Sequence, residues 1–320
     1  MARFLSIAAT LTVLVIVGVK ARTPGQSDAR VKLAFYNIQS GIGEVGLPGR
    51  RVLFSDTKNC TDRSQPLNAW GVGLVQQELV KSIKNDPAVI VLGLAEAWEC
   101  ASPENIRTVL GWQAKTSSRN GVAAVSRYGF AGEETWQQLD TSRNPNPPDT
   151  MWVVRVPVCA DPACRASILV FASHWYGTGP NKQAVYERQA EQTLEFMKAS
   201  SGGAPHVLIG DLNAWEGTTA QCGQQPINAG VGKLRGAGYI DAWPAVHGRA
   251  EGFTGMTNRR GCGSPPGYTW KRIDYAWSSP GLAPLDIVRF AMPAAAGDAT
   301  ASDHYGIIAT YPAPGRLPNR

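Results

Sequence analysis

A series of polar side chains in this chain stands just beyond apolar runs, and their types are those that hold a cation or move a proton. Asn37 follows Leu33-Ala34-Phe35-Tyr36, Glu96 follows Val89 to Leu94, and His174 follows Ile168 to Ala172. Asp211 and Asn213 follow Val207-Leu208-Ile209-Gly210, Asp274 follows Ile273, and Asp303-His304 precede Tyr305-Gly306-Ile307-Ile308. One Asp or Asn after a strand usually caps a turn or helix by bonding nearby backbone. Several buried strands that all deliver such groups to their ends predict a polar, metal-competent cleft. Crowded carboxylates repel one another, so the arrangement is stable only where a cation or protons neutralise it.

The runs that must position these groups read as strands. They are Val31 to Phe35, Ala88 to Leu94, Gly121 to Ser126, Met151 to Pro157, Ser167 to Ser173, Pro205 to Gly210, Ile273 to Ser278, Leu285 to Phe290 and Tyr305 to Thr310. Val75, Leu79, Val80 and Ile83 fall at helical spacing before Asp86-Pro87, and Ser102-Pro103 can cap a short helix. Lys182 to Ala199 carries Tyr186, Ala190, Leu194 and Met197 on one helical face. Strands interleaved with helices imply layered α and β structure with the chemistry at strand ends.

Six short motifs occur in a telling order: Tyr36-Asn37-Ile38, Leu94-Ala95-Glu96, Ser173-His174, Gly210-Asp211-Leu212-Asn213, Arg272-Ile273-Asp274-Tyr275 and Ser302-Asp303-His304. From about Lys32 to Thr310 the chain thereby resembles the endonuclease/exonuclease/phosphatase superfamily. That resemblance implies a deoxyribonuclease I-like fold, a four-layer α/β/β/α sandwich with two mixed β-sheets. It also implies a divalent-metal-dependent phosphoesterase. Asn37, Glu96 and Asp303 resemble the metal-binding set, an oxygen-rich one that suits Mg2+, or else Mn2+ or Ca2+. Asp274 resembles the carboxylate that fixes the tautomer of His304, the general base, and Asp211 the group that orients the attacking water. Asn213 resembles a donor to phosphoryl oxygens, and His174 the second histidine, which donates to phosphate or protonates the leaving alkoxide.

Two positions depart from the family pattern. Ala95 stands where a glutamine usually precedes the glutamate, and Gln39 stands where some nucleases carry a carboxylate. Glu99, beside Cys100, reads as a solvated glutamate, and His206 and His247 stay outside the expected site. Trp175, Tyr176, Trp215 and Trp270 either line the substrate groove or pack.

The substrate is read less directly, since one catalytic centre serves many loops. Arg119, Arg259-Arg260 and Lys271-Arg272, with Tyr268 and Trp270, either grip backbone phosphates and stack bases or form a solvated basic loop; the first reading ranks a nuclease ahead. A lipid phosphodiesterase of sphingomyelinase type is the alternative, with Leu67 to Val72 as its candidate membrane-facing stretch. A non-catalytic binding member of the same fold is a third reading, disfavoured by two histidines kept among carboxylates.

Met1-Ala2-Arg3 and the uncharged run Phe4 to Val19 read as an export signal of residues 1–21, cut after Ala21, with an uncleaved anchor as the rival. A linker over 22–30, one domain over 31–311 and a tail over 312–320 complete the expected organisation. Losing Arg3 and Lys20 takes the formal charge from +6 to +4, a mild surplus that suits an anionic substrate. Six cysteines in a secreted or periplasmic chain read as disulfides, with Cys159–Cys164 the expected hairpin staple and Cys60–Cys100 and Cys222–Cys262 the remaining pairings. A monomer with a nucleic-acid rather than phospholipid substrate, and no stable protein partner, is the expected state.

Overall fold

The structure is a computed structural model that describes residues 29–39, 71–98, 101–141, 150–176, 182–214, 229–250, 252–258, 268–292 and 300–315. Along the chain come β1 (Arg30–Asn37), α1 (Gly71–Leu79) continued by a wider π turn (Val80–Lys84), β2 (Val89–Ala95) and α2 (Pro103–Leu110). Then follow β3 (Ala114–Lys115), β4 (Ala123–Ser126), β5 (Thr135–Leu139), β6 (Met151–Cys159), β7 (Ser167–His174) and α3 (Lys182–Ser201). β8 (His206–Asp211), α4 (Ala229–Gly236), β9 (Ile240–Asp241) and α5 (Ala242–His247) come next. The last are β10 (Gly255–Asn258), β11 (Tyr268–Lys271), β12 (Asp274–Ser278), β13 (Asp286–Phe290) and β14 (Gly306–Pro312).

Among the described residues these strands make two six-stranded sheets, ordered β13-β14-β1-β2-β4-β3 and β5-β6-β7-β8-β12-β9, and the hairpin β10-β11. Each large sheet has one parallel pair at its centre, β1 with β2 and β7 with β8, flanked by antiparallel neighbours. Alternation along each strand sorts the side chains into layers. Leu33, Phe35, Val154, Val156, Val170, Ala172, Val207, Ile209, Ile307 and Ala309 fill the space between the sheets. Ala34, Tyr36 and Leu92 face outward onto Val75, Leu79 and Ile83 of the first helix and Ile106 and Leu110 of the second. Phe171, Leu208 and Trp277 do the same toward Tyr186, Ala190 and Met197 of α3 and Leu234 of α4. The expected α/β/β/α sandwich is the observed one, and β2 reads as an unbroken apolar run because both its faces are covered.

The first helix departs in one detail. Val75, Leu79 and Ile83 are buried but Val80 is half-buried. Successive steps of four overshoot the 3.6-residue period, and the π turn over Val80–Lys84 takes up the excess. Arg127 ties off its end, donating to the carbonyls of Ile83, Lys84, Asp86 and Val89 at 3.1, 3.0, 2.8 and 2.7 Å. Ser102 caps α2 with Pro103 at its first position, as its sequence predicts.

Close packing constrains two glycines. A Cβ on Gly210 would lie 2.5 Å from the Ser173 carbonyl oxygen of the parallel neighbour, and one on Gly93 would reach 2.9 Å from Ile209 Cδ1 across the intersheet layer. Cys159 and Cys164 form the expected staple. The loop inside it is folded around Asp161, whose carboxylate accepts from the backbone N–H groups of Ala163, Arg165 and Ala166. At the other end of the domain β1 pairs with β14 from Phe35↔Ile307 to Arg30↔Pro312. The export segment, the Cys60–Cys100 and Cys222–Cys262 pairings, Glu99, Trp215 and Arg259-Arg260 lie outside the described residues, as do Leu67 to Trp70 and the side chains of Tyr268, Trp270 and Lys271. No helix among the described residues is long and apolar enough to cross a membrane.

Candidate active site at the mouth of the sandwich

The inward-facing rows of the two sheets change from apolar to polar at one edge. Phe35 is followed on its face by Asn37, Ala172 by His174 and Ile209 by Asp211, while Asp274 precedes Ala276 on the antiparallel β12. Register fixes their neighbours: Asp211 is the partner of both His174 and Asp274. Glu96 leaves the end of β2 with φ 51°, Asn213 follows β8 with φ 49°, and Gln39 follows β1 with φ 45°. Left-handed backbone at non-glycine residues costs roughly 1–3 kcal/mol each and clusters where function holds it in place.

The site has two halves. Asn37, Glu96 and Asp303 hang from the first sheet, and His174, Asp211, Asn213 and Asp274 from the second. Asp211 joins them: its Oδ2 accepts from Asn37 Nδ2 at 3.0 Å and from Asn213 Nδ2 at 3.4 Å, and lies 3.5 Å from His174 Nε2 and 3.7 Å from His304 Nε2. Asn37 Nδ2 also lies 3.2 Å from Glu96 Oε1, and His174 Nε2 lies 3.9 Å from that same oxygen. Asn213 Nδ2 lies 3.2 Å from His174 Nε2 and donates to the Trp175 carbonyl at 2.9 Å. His304 crosses back from the first sheet, its Nδ1 2.9 Å from Asp274 Oδ2 and its Nε2 3.8 Å from Asp303 Oδ1. All eight side chains singled out in the sequence are thus brought together.

Charge shapes the pair on the buried side. Burial disfavours a charged His304, but Asp274, Asp211 and Asp303 outweigh it and hold the imidazole well above the usual histidine range. Burial pushes the Asp274 carboxyl up, with Asp211 adding to the rise and His304 opposing it. Asp274 as acceptor keeps the proton on Nδ1, which leaves Nε2 facing Asp211 and Asp303.

Donor atoms of Asp211, Asp274 and His304 lie within 4.8 Å of one another, a possible metal group. Within that group His304 Nδ1 and Asp274 Oδ2 already pair at 2.9 Å. Glu96 has 29% of its side chain exposed and, with Asn37 and Asp303, offers oxygen donors at the open side of the same cleft. Hard oxygen donors around unneutralised carboxylates fit a divalent cation.

Sequence reasoning missed the braces. Gln39, noted only as a departure, accepts from the Asp303 N–H through Oε1 at 3.3 Å, and its own N–H donates to Asn37 Oδ1 at 3.0 Å. Ser302 Oγ donates to the Asn37 carbonyl and accepts from the His304 N–H. Thr254 Oγ1 accepts from the N–H groups of Ile273 and Asp274, and no motif marks it. Of the two readings open for Trp175 and Tyr176, packing is the one observed: both are buried among the side chains beneath α3. His206 and His247 stay outside the site, bonded to the Ala204 carbonyl and Tyr239 hydroxyl and to the Ile287 carbonyl respectively.

The sequence profile of the Endonuclease/Exonuclease/phosphatase family matches residues 34–304. No curated protein matches the sequence significantly. Among solved structures, an endonuclease/exonuclease/phosphatase from Bacteroides vulgatus superposes with TM-score 0.60 at 14% identity, covering 88% of this chain and 98% of the other. The mannosyl-6-phosphatase Bt3783 of Bacteroides thetaiotaomicron gives 0.58 at 16%, over 87% and 98%. D. rerio TDP2 complexed with a single-strand DNA product gives 0.56 at 16%, over 89% and 99%.

Proposed function

Because the chain belongs to the endonuclease/exonuclease/phosphatase family, phosphoester hydrolases that generally use divalent metals, we propose that it is an exported, magnesium-dependent phosphodiesterase acting on nucleic acid. The observation that carries the reading is the convergence of Asn37, Asn213, His174 and His304 nitrogens within 3.7 Å of one Asp211 oxygen, beside Glu96. Donors and acceptors so arranged suit an ester whose phosphoryl oxygens take hydrogen bonds while a water beside Asp211 is deprotonated. Bound between Glu96, Asn37 and Asp303, the cation would supply Lewis-acid stabilisation of several kcal/mol to the charge that builds on phosphorus.

The protein's own groups do the rest. Asp274 orients His304, whose Nε2 takes the proton of the water when the ring is neutral. Asp211 holds that water, and Asn213 offers its amide to the phosphoryl oxygens. His174, beside Asn213, donates to phosphate or to the departing alkoxide. The choice of nucleic acid draws support from the DNA product bound by the TDP2 neighbour and from the tryptophans and arginine beside the site.

The test is a panel of plasmid DNA, RNA, sphingomyelin and bis(p-nitrophenyl) phosphate, each with magnesium, with excess EDTA and with Asp211→Ala. Plasmid nicking that needs magnesium and is lost in the variant is the expected result. Sphingomyelin turnover without nicking moves the reading to a lipid phosphodiesterase, and full activity in EDTA removes the metal from it. Sequencing of exported protein is expected to start at Arg22.

A further inference from the structure

We propose that Arg119, stacked on Trp152 and Trp136, receives the phosphate next to the scissile one in a nucleic-acid strand. The proposal rests on the nuclease reading above and extends it to how the strand is held.

The row that carries the chemistry does not stop at His174. Asp274, Asp211, His174 and Trp152 are successive register partners across β12, β8, β7 and β6, so Trp152 projects from the same face one strand further on. At strand spacings near 4.8 Å, Trp152 stands roughly 10 Å from Asp211 along this row. That is within reach of the neighbouring unit of an extended polymer. The Arg119 guanidinium carbon lies 4.6 Å from the Trp152 ring centroid and 5.2 Å from that of Trp136, and the two rings meet edge to face.

The support under Arg119 is rigid and tied to the metal side of the site. Arg119 and Val122 exchange backbone bonds of 3.1 and 3.0 Å around Asn120-Gly121, both at positive φ. Asn120 Nδ2 anchors the turn to the Thr150 carbonyl at 3.2 Å. The Gly121 carbonyl accepts from the Ala97 N–H at 3.1 Å, and a Cβ on Gly121 would come within 3.0 Å of Trp98, Ala97 and the Glu96 Cα. One turn therefore braces Glu96 and presents Arg119.

Arg119 is exposed, and no carboxylate pairs with it among the described residues. Glu134 is engaged by Ser117 and by Trp136 Nε1. A guanidinium set over indole rings without a carboxylate partner keeps N–H donors for a phosphate, which it can meet through two of them.

The experiment compares wild type, Arg119→Ala and Arg119→Lys on two probes, the single-stranded oligonucleotide dT12 and bis(p-nitrophenyl) phosphate, which has no second phosphate. Fluorescence anisotropy of labelled dT12 in EDTA is recorded across a salt series alongside turnover in magnesium. Arg119→Ala is expected to raise KM and Kd for dT12 by about tenfold. Its loss on dT12 should exceed its loss on the small ester by a similar factor. The slope of log affinity against log salt should shrink by about 0.7, the loss of one phosphate contact on a single strand, and Arg119→Lys should restore it. Equal losses on both probes, or an unchanged salt slope, overturn the role of Arg119 while leaving a nuclease in place. Wild-type protein that hydrolyses the small ester but neither binds nor cuts dT12 overturns both.

Discussion

His304 and His206 are both buried histidines, and their surroundings drive them in opposite directions. Burial pulls His206 below its usual range against the opposing bond to the Ala204 carbonyl, whereas the three carboxylates around His304 carry it well above. NMR titration of the EDTA-treated protein is therefore expected to show the His304 ring losing its proton at higher pH than any free histidine, and His206 at lower pH. The sign for stability follows. A folded-state pKa above the unfolded one contributes stability in full below about 6.5 and loses it as pH rises through the folded value. Asp274 is raised too and acts in the same sense, so the urea midpoint of the metal-free protein should fall with rising pH, and less steeply in His304→Gln. A midpoint indifferent to pH would contradict the charge arrangement. In the loaded enzyme, His304→Ala or His174→Ala should lower turnover by about 10² or more with far-UV circular dichroism unchanged. These side chains were legible in the sequence because each is the polar residue that ends an apolar run. Gln39 and Thr254 were not, since they work by holding the backbone of others, a task many residue types can do.

The helices and strands that mattered were legible where a long apolar period marks them. β2, β7, β8 and α3 fall within a residue or two of their expected limits. Two-residue β3 and β9 and the six-residue α5 carry too few positions for any period to register. The π turn after α1 escaped for another reason: what holds it is Arg127, more than forty residues downstream. Its guanidinium serves four carbonyls at the end of that helix and start of β2 and lies 5.0 Å from the Trp112 ring centroid. Arg127→Ala leaves these groups without their donor and is expected to destabilise the fold by roughly 2–4 kcal/mol in urea denaturation. Arg127→Lys, which lacks the planar fork, should recover only part of it. A loss below about 0.5 kcal/mol would mean that water replaces the guanidinium freely.

Both large sheets follow one plan, a parallel pair between antiparallel neighbours, although the sequence shows no internal repeat. Only the alternation of inward and outward residues recurs, and this constrains hydrophobicity rather than identity. The proposed cation seat and His304 hang from the first sheet, and Asp274, Asp211, His174 and Asn213 from the second, so magnesium is expected to stabilise the whole domain. At a hundred times its dissociation constant it would add about 2.7 kcal/mol, or roughly 5 °C of melting temperature. Glu96→Gln should abolish that increment without lowering the melting point of the metal-free protein, because one of the crowded carboxylates is gone. A magnesium shift that survives the substitution would move the cation elsewhere. The division between sheets also makes their separation a catalytic dimension. Gly93 sits in that interlayer three residues before Glu96, facing Ile209 two residues before Asp211. A side chain inserted there acts as a shim, widening the gaps from His304 to Asp274 and from Asn37 to Asp211, and would slow hydrolysis from a position that no substrate ever touches.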